Sequence, residues 1–498
     1  MSDAQSVSRN SVHSAIAWCV PVLLGFVATP LLVSALGVSG YGIYALVISL
    51  IQYSFNLQFG RLMTHYVARA KGGDTHSKRL CTSTMVLALL VSLLGAGAIA
   101  MSADLIVTEL FRVSPAFQSE AIQSVRISAL VLMSMAVLYL SWSVLQGLGS
   151  FAPFAAISGG YSVSISVAAI LVAVLGGGIN GILVAQFAVT VLFILLTLIL
   201  LLNRGASGVF DSSVDRSNLA EAGRMALPVI GYQVIGNAVV LLERGMVSSK
   251  LGESALSFYV VAMNLAINLH GLAASLSLSI LPFASSQTHD WESIRATYEK
   301  ATTYTIALMT GLSTCVVMFA EQILEVWLGR EFSGTATWVL IAGVMAFGLH
   351  SFSVVAFQVV DGTGRSRINL ITTLVAGFIF AVVSISSIGL LGLEGPAIGR
   401  LASAIAWFVF MLAIDRSLRG SWGIGFFGGL FVRLAPAVIV STTIALLVQE
   451  HFFGTWLSLL SGMLVSTLSF FFVALSTGVL RFGAIVEIVR RLLPAFKK

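Results

Sequence analysis

About fourteen times along this chain, apolar residues run for roughly twenty positions, the length a helix needs to cross a bilayer. The runs begin near His13, Tyr41, Cys81, Ile127, Phe151, Ile179, Met225, Ala255, Ala301, Ser333, Ile368, Gly395, Phe426 and Phe452. Lipid offers the backbone no water to bond to, so each run is predicted to be a helix. The expected fold class is all-α, a polytopic membrane protein with about 14 transmembrane helices. Composition agrees, because 57% of residues are hydrophobic and only 10% charged, against roughly 25% charge in soluble domains. The weakest runs lie at 41–66 and 424–449, where Gln, Arg or Gly interrupts them.

The polar start Met1 to Ser11 leads into an apolar run longer than a signal-peptide core, with no small-residue cleavage site, so it is expected to stay as the first span. Cys19, Cys81 and Cys315 are isolated, without CxxC or paired spacing. They predict neither metal site nor disulfide framework, and no cofactor is expected.

Basic residues set the orientation. With the N-terminus inside, the cytoplasmic connections hold Arg69, Lys71, Lys78 and Arg79, Arg204 and Arg216, Arg295 and Lys300, Arg365 and Arg367, Arg416 and Arg419, and the basic C-terminus. The outer side has only Arg112, Arg126, Arg244, Lys250 and Arg330. This asymmetry predicts both termini in the cytoplasm. It also accounts for most of the net charge of +6, so no nucleic-acid partner is expected.

The sequence repeats itself. Leu36-Gly37-Val38-Ser39-Gly40-Tyr41-Gly42-Ile43-Tyr44 recurs 215 positions later as Leu251-Gly252-Glu253-Ser254-Ala255-Leu256-Ser257-Phe258-Tyr259. Val144 to Gly149 recurs as Val359 to Gly364 at the same shift, and Gly178 to Gly181 as Gly392 to Gly395 one residue out of phase. Two pseudo-symmetric six-helix lobes follow, at 1–203 and 224–416, joined by a polar cytoplasmic linker at 204–223. A C-terminal helix pair occupies 417–480 and an amphipathic tail on the inner leaflet 481–498. Six is even, so both lobes enter the membrane in the same sense, and in transporters parallel repeats of this kind place the substrate site between the lobes.

Polar residues within the spans fall on definite faces. Gln233, Asn237 and Arg244 form one stripe on the seventh span. Ser257, Asn264, Asn268, Gly271, Ser275 and Ser279 form another on the eighth. In a lipid-facing helix such stripes turn toward the bundle interior or a water-filled cavity. Gln58, Arg61, His65 and Arg69 share a face near the cytoplasmic entrance, where they either bind an anion or snorkel to inner headgroups. Arg400 either lines the cavity or snorkels outward. Arg244 is expected in the cavity, with a simple neighbour pairing to Glu243 as the other reading. His350, Gln358 and Asp361 share a face of the tenth span; His350 is a candidate proton relay or a hydrogen-bonded packing residue, and Asp361 and Glu243 are further candidates for proton coupling. Span one, from His13 to Leu36, has no Asp or Glu, and buried charges are expected to be mainly basic, which favours an anionic substrate.

Pro30, Leu36-Gly37, Tyr41-Gly42-Ile43-Tyr44, Phe59-Gly60, Gln146-Gly147-Leu148-Gly149, Glu243-Arg244, Leu251-Gly252, Tyr259 and Pro282, in that order, resemble the bacterial polysaccharide transporters. These are the lipid-linked oligosaccharide flippases of the multidrug/oligosaccharidyl-lipid/polysaccharide (MOP) superfamily. The resemblance covers roughly residues 9 to 415, and Gln58 departs from it where an acidic residue would be expected before Phe59-Gly60. It implies a flippase, not an enzyme, that moves an undecaprenyl-pyrophosphate-linked oligosaccharide across the bacterial inner membrane by alternating access, for exopolysaccharide, capsule or O-antigen synthesis. The implied partners are the lipid-linked oligosaccharide and membrane lipids, with a polysaccharide polymerase and chain-length regulator left open. On this reading Arg61, Gln233, Asn237, Arg244, Asn264, Asn268 and Arg400 bind substrate. A multidrug cation antiporter of the same superfamily would be expected to bury acid in its first lobe. A membrane polymerase or ligase would be expected to carry a larger periplasmic loop than that at about 101–123.

Overall fold

The computed structural model describes residues 2–54, 59–211, 213, 215–278, 280–286, 290–419, 424–451 and 454–480. Among them all regular structure is helical. The chain forms two compact units, one of Val20–Val260 and one of Met1–Cys19 with Val261–Lys498. The first contains most of α1 (Ser2–Tyr53), then α2 (Gly60–Lys71), α3 (Thr75–Met101), α4 (Ala103–Leu105) running into a π turn (Ile106–Leu110), α5 (Pro115–Gly147), α6 (Phe151–Val174), α7 (Gly178–Leu202), α8 (Arg216–Leu251) and the start of α9 (Glu253–Ser277). The second holds the rest of α9, then α10 (Ile280–Ser286), α11 (Trp291–Met318), α12 (Ala320–Leu328), α13 (Arg330–Ser351), α14 (Val354–Gly362), α15 (Ser366–Leu391), α16 (Glu394–Arg419), α17 (Ile424–Gln449) and α18 (Trp456–Ser476).

Twelve helices among the described residues are long and apolar enough to cross a membrane. Large apolar side chains such as Leu94, Leu195, Phe378, Val432 and Phe472 stand on their outer faces, as lipid rather than water would require. Two places separate this count from about fourteen expected spans. Pro21–Tyr53 counts as one helix, yet Gly37 turns the chain within it at φ 72°, ψ 166°, so it holds both the first span and the beginning of the second. The seventh span lies in α8, where the side chains at 228, 229 and 232 are outside the described residues. In the second span, helix is described to Tyr53 and again from Gly60, with 55–58 outside the described residues. Gln58 lies outside the described residues, as do Ser212, Ser279, Trp422 and the 481–498 tail.

The repeat is written in the backbone. Gly252 has φ 90°, ψ 174°, close to the values at Gly37. Gly149 and Gly364 have φ 78° and 75°, and each ends its helix with the same pair of reversed bonds, Ser150 N to Leu145 O and Arg365 N to Val360 O, both 2.9 Å. The two most enclosed spans, Pro115–Gly147 and Arg330–Gly362, correspond under the repeat, and in each 67% of the residues in the most apolar stretch are buried. They differ in one respect. The first is a single helix, whereas the second breaks at Phe352 and Ser353, whose N–H groups turn back to Leu349 O and His350 O at 3.2 and 3.1 Å. The expected stripe of His350, Gln358 and Asp361 is therefore corrected, since His350 sits on α13 and the other two on α14.

Positive φ with extended ψ is a region open to glycine and costly to side chains, by about 1–3 kcal/mol. Gly252→Val should lower the melting temperature of the purified protein by several degrees. An unchanged melting curve would show that the α8–α9 joint tolerates a side chain.

The C-terminal pair shares a core with the rest of the second unit. Phe427, Leu430 and Leu434 of α17 and Phe470 of α18 pack with Tyr298 and Ile306 of α11 and with Trp407 and Phe410 of α16. In the first unit Met63, Tyr66 and Val67 of α2 pack with Leu80 and Cys81 of α3 and Leu145 of α5.

The 204–223 segment is strapped to α3. Ala206 and Val209 are buried in that same cluster. Thr82 Oγ1 donates to Asp211 O at 2.8 Å, and Arg79 Nε donates to Asp211 Oδ2 at 3.2 Å. The Asp211 carboxyl is held below the usual range by the N–H of Ser213 first, then by the Ser213 hydroxyl and Arg79. A carboxylate lowered on folding stabilises the strap above its unfolded value and ceases to as pH falls through the folded one. Protease cleavage in this segment should stay slow between about pH 5 and 8 and quicken only below about pH 4. Asp211→Asn should quicken it at neutral pH; identical cleavage in variant and wild type would remove Asp211 from the strap.

Candidate functional site

Within the first unit, the segment from Leu36 to Tyr44 lies against its own repeat copy. Ser39 Oγ and Ser254 Oγ, equivalent residues 215 apart, are 2.7 Å from one another. Ser257 Oγ donates to Val38 O. At Gly42, the equivalent of Ser257, a Cβ would run into the Glu253 carbonyl, 2.9 Å from its carbon. These reciprocal contacts define a local two-fold passing between the two serines. Leu36-Gly37 and Leu251-Gly252 make it possible, because each glycine turns the chain immediately before the contact.

Around this clasp the polar groups are buried and partnered. The Glu253 carboxylate accepts the N–H of Ser114 at the start of α5, a favourable place for negative charge. Ser248 Oγ donates to Phe111 O at 3.0 Å, just before Arg112, whose φ is 49°. Arg244 is 8% exposed. Its Nη1 donates to Ser49 Oγ and, at 3.4 Å, to Ala45 O, and its guanidinium lies over the Tyr53 ring at 5.4 Å. Glu243, also buried, accepts from the Tyr259 hydroxyl. Gln233 and Asn237 lie further down α8, both partly buried, and Asn237 Nδ2 is shielded without a partner among the described residues. Arg61 lies on α2 with its side chain outside the described set, while His65 and Arg69 are exposed.

The second unit brings other candidates together. His350 is stacked between His270 on α9, at 4.3 Å and 20°, and Trp407 on α16, at 4.5 Å and 25°. Arg400 lies over Phe380 at 4.7 Å and Phe347 at 5.9 Å, and Phe347 also touches the His270 ring. Asp361 accepts from Asn369 Nδ2 at 2.8 Å. Asn264 and Asn268 are partly buried on α9.

Sequence reasoning missed Ser49, Tyr53, His270, Trp407 and Asp415. The one usable signal was the occurrence of His270 and His350 inside apolar runs in a chain with only 7 histidines. The expectation of mainly basic buried charge is corrected, because among the described residues three acidic side chains, Glu243, Glu253 and Asp415, are buried and one basic one, Arg244. Glu243 accepts from a hydroxyl and Glu253 from a backbone N–H, neutral donors that a charge count does not register.

The fold is that of the MOP transporters. The chain is similar to the solved structure of "Lipid II flippase MurJ, inward closed conformation", with a TM-score of 0.72 at 14% identity over 93% of this chain and 98% of that one. It is also similar to a MOP superfamily transporter from Pyrococcus furiosus, with a TM-score of 0.60 at 18% identity over 84% and 97%. The family model described as "Polysaccharide biosynthesis protein" matches residues 31–337, and the chain belongs to that family. A Shigella flexneri protein named "Putative O-antigen transporter" is 22% identical over 419 residues, 81% of this chain and 94% of that protein.

Proposed function

We propose that this protein is a flippase that carries an undecaprenyl-pyrophosphate-linked oligosaccharide from the cytoplasmic to the periplasmic face of the bacterial inner membrane. The family match, together with the near full-length similarity to the Shigella protein, carries the reading. Arg244, with Gln233 and Asn237 on its helix, suits a pyrophosphate and sugar hydroxyls; Arg61, Asn264, Asn268 and Arg400 are the further binding candidates. The lobes at 1–203 and 224–416 alternate in access, both termini lie in the cytoplasm, and a polymerase with a chain-length regulator acts on the exported unit. Deletion followed by lipid extraction tests this reading. One defined undecaprenyl-linked unit should accumulate, and surface polymer should fall. An unchanged lipid-linked pool with lost polymer would place the protein after translocation instead.

A second reading, a cation antiporter of the same superfamily, would draw on the buried carboxylates Glu243, Glu253 and Asp415, all of them in the second lobe rather than the first. Increased susceptibility of the deletion strain to lipophilic cations, with surface polymer intact, would select it.

A further inference from the structure

We propose that His270 and His350 form a single-proton site that gives transport its pH dependence, an inference that rests on the transporter reading. Ser351 Oγ donates to Phe347 O at 2.6 Å. Its one hydrogen is thereby used, so in the 3.1 Å contact with His270 Nδ1 the serine oxygen accepts and the imidazole donates. Neutral His270 is thus held with its hydrogen on Nδ1, and Nε2 is its base.

The geometry limits the pair to one proton. Two imidazolium rings with centroids 4.3 Å apart would repel strongly away from water. The charged and titratable groups beside His350 are His270 from α9 and Arg400 from α16. Other neighbours are uncharged: Phe347 on α13, Phe380 on α15 beneath Arg400, and the Trp407 ring. The Trp407 face, 4.5 Å from His350 and stacked on it, attracts a cation there. A proton held on the His350 ring therefore loosens the imidazole stack and tightens His350 on Trp407. Its release on the opposite side restores the neutral column, so each cycle moves one proton and leaves no net change in the protein.

Trp407 reports the site directly, since a protonated imidazole quenches indole emission. The full-length protein in phosphatidylethanolamine and phosphatidylglycerol nanodiscs would be titrated downward from about pH 8 to about pH 4, taking wild type minus Trp407→Phe as the signal. Emission should fall on acidification, and the fall should vanish in His350→Gln. In His270→Gln, which keeps an N–H for Ser351, the midpoint should move. In parallel, surface polymer made by cells carrying each variant would be measured against external pH; wild type should be pH dependent, the midpoint should move in His270→Gln as its emission midpoint does, and the dependence should vanish in His350→Gln. A flat Trp407 signal overturns the site. A titrating signal with the same export profile in His270→Gln and wild type overturns the coupling. If the wild-type gene leaves surface polymer and lipid-linked sugars unaffected, the transporter reading fails, and the emission titration still decides whether the proton site exists.

Discussion

Arg244→Ala is expected to abolish export and also to lower the melting temperature, with Arg244→Lys recovering part of both. Charged hydrogen bonds to Ser49 and Ala45 and the contact over Tyr53 join α8 to the second segment of α1. Losing a buried hydrogen bond of this kind costs about 1.5–3 kcal/mol, and the ring contact adds roughly 0.5–2. Lysine keeps the charge and one bond but loses the planar fork that serves two acceptors while lying on a ring. The tether role therefore predicts reduced stability even without substrate. Arg244→Ala with wild-type melting but no export would assign the guanidinium to the substrate alone. Normal export at matched protein level would remove it from both roles.

A second large effect should follow from closing the clasp covalently. In Ser39→Cys/Ser254→Cys the two side-chain termini replace oxygens 2.7 Å apart, within easy adjustment of the roughly 2.05 Å of a disulfide. Oxidation should form the bond rapidly, stop export and leave membrane insertion intact, and a thiol reductant should restore activity. The expectation follows from alternating access: if the repeat copies must part during the cycle, a bond between them holds the protein in one state. Undiminished export from fully oxidised protein would mean that the clasp stays closed throughout transport.

The features most legible in the sequence were those fixed by local covalent geometry. Gly37 with Gly252 and Gly149 with Gly364 could be matched by eye because only glycine adopts their backbone angles cheaply, so the fold leaves the same letter at both places. The α13–α14 break was less visible, since Phe352 is an ordinary residue for a helix and tertiary context decides where it stops. Helical wheels placed Arg244 on a polar face but could not supply Ser49 or Tyr53, which come from a segment almost two hundred residues earlier. The His270, His350 and Trp407 column was illegible for the same reason: three rings on α9, α13 and α16 share no period along the chain.

The Ser39–Ser254 contact has a bearing on how such a chain arises. A residue touches its own counterpart only on the axis that relates the copies, as in an isologous dimer. In a two-fold dimer of a half-length chain, a serine at this position would already bond to itself, so one substitution would complete both sides of the contact. Fusing the halves would then preserve a working contact rather than require a new one. A fused chain also frees the two positions to differ, as they do where Gly42 stands opposite a Ser257 that carries a hydroxyl.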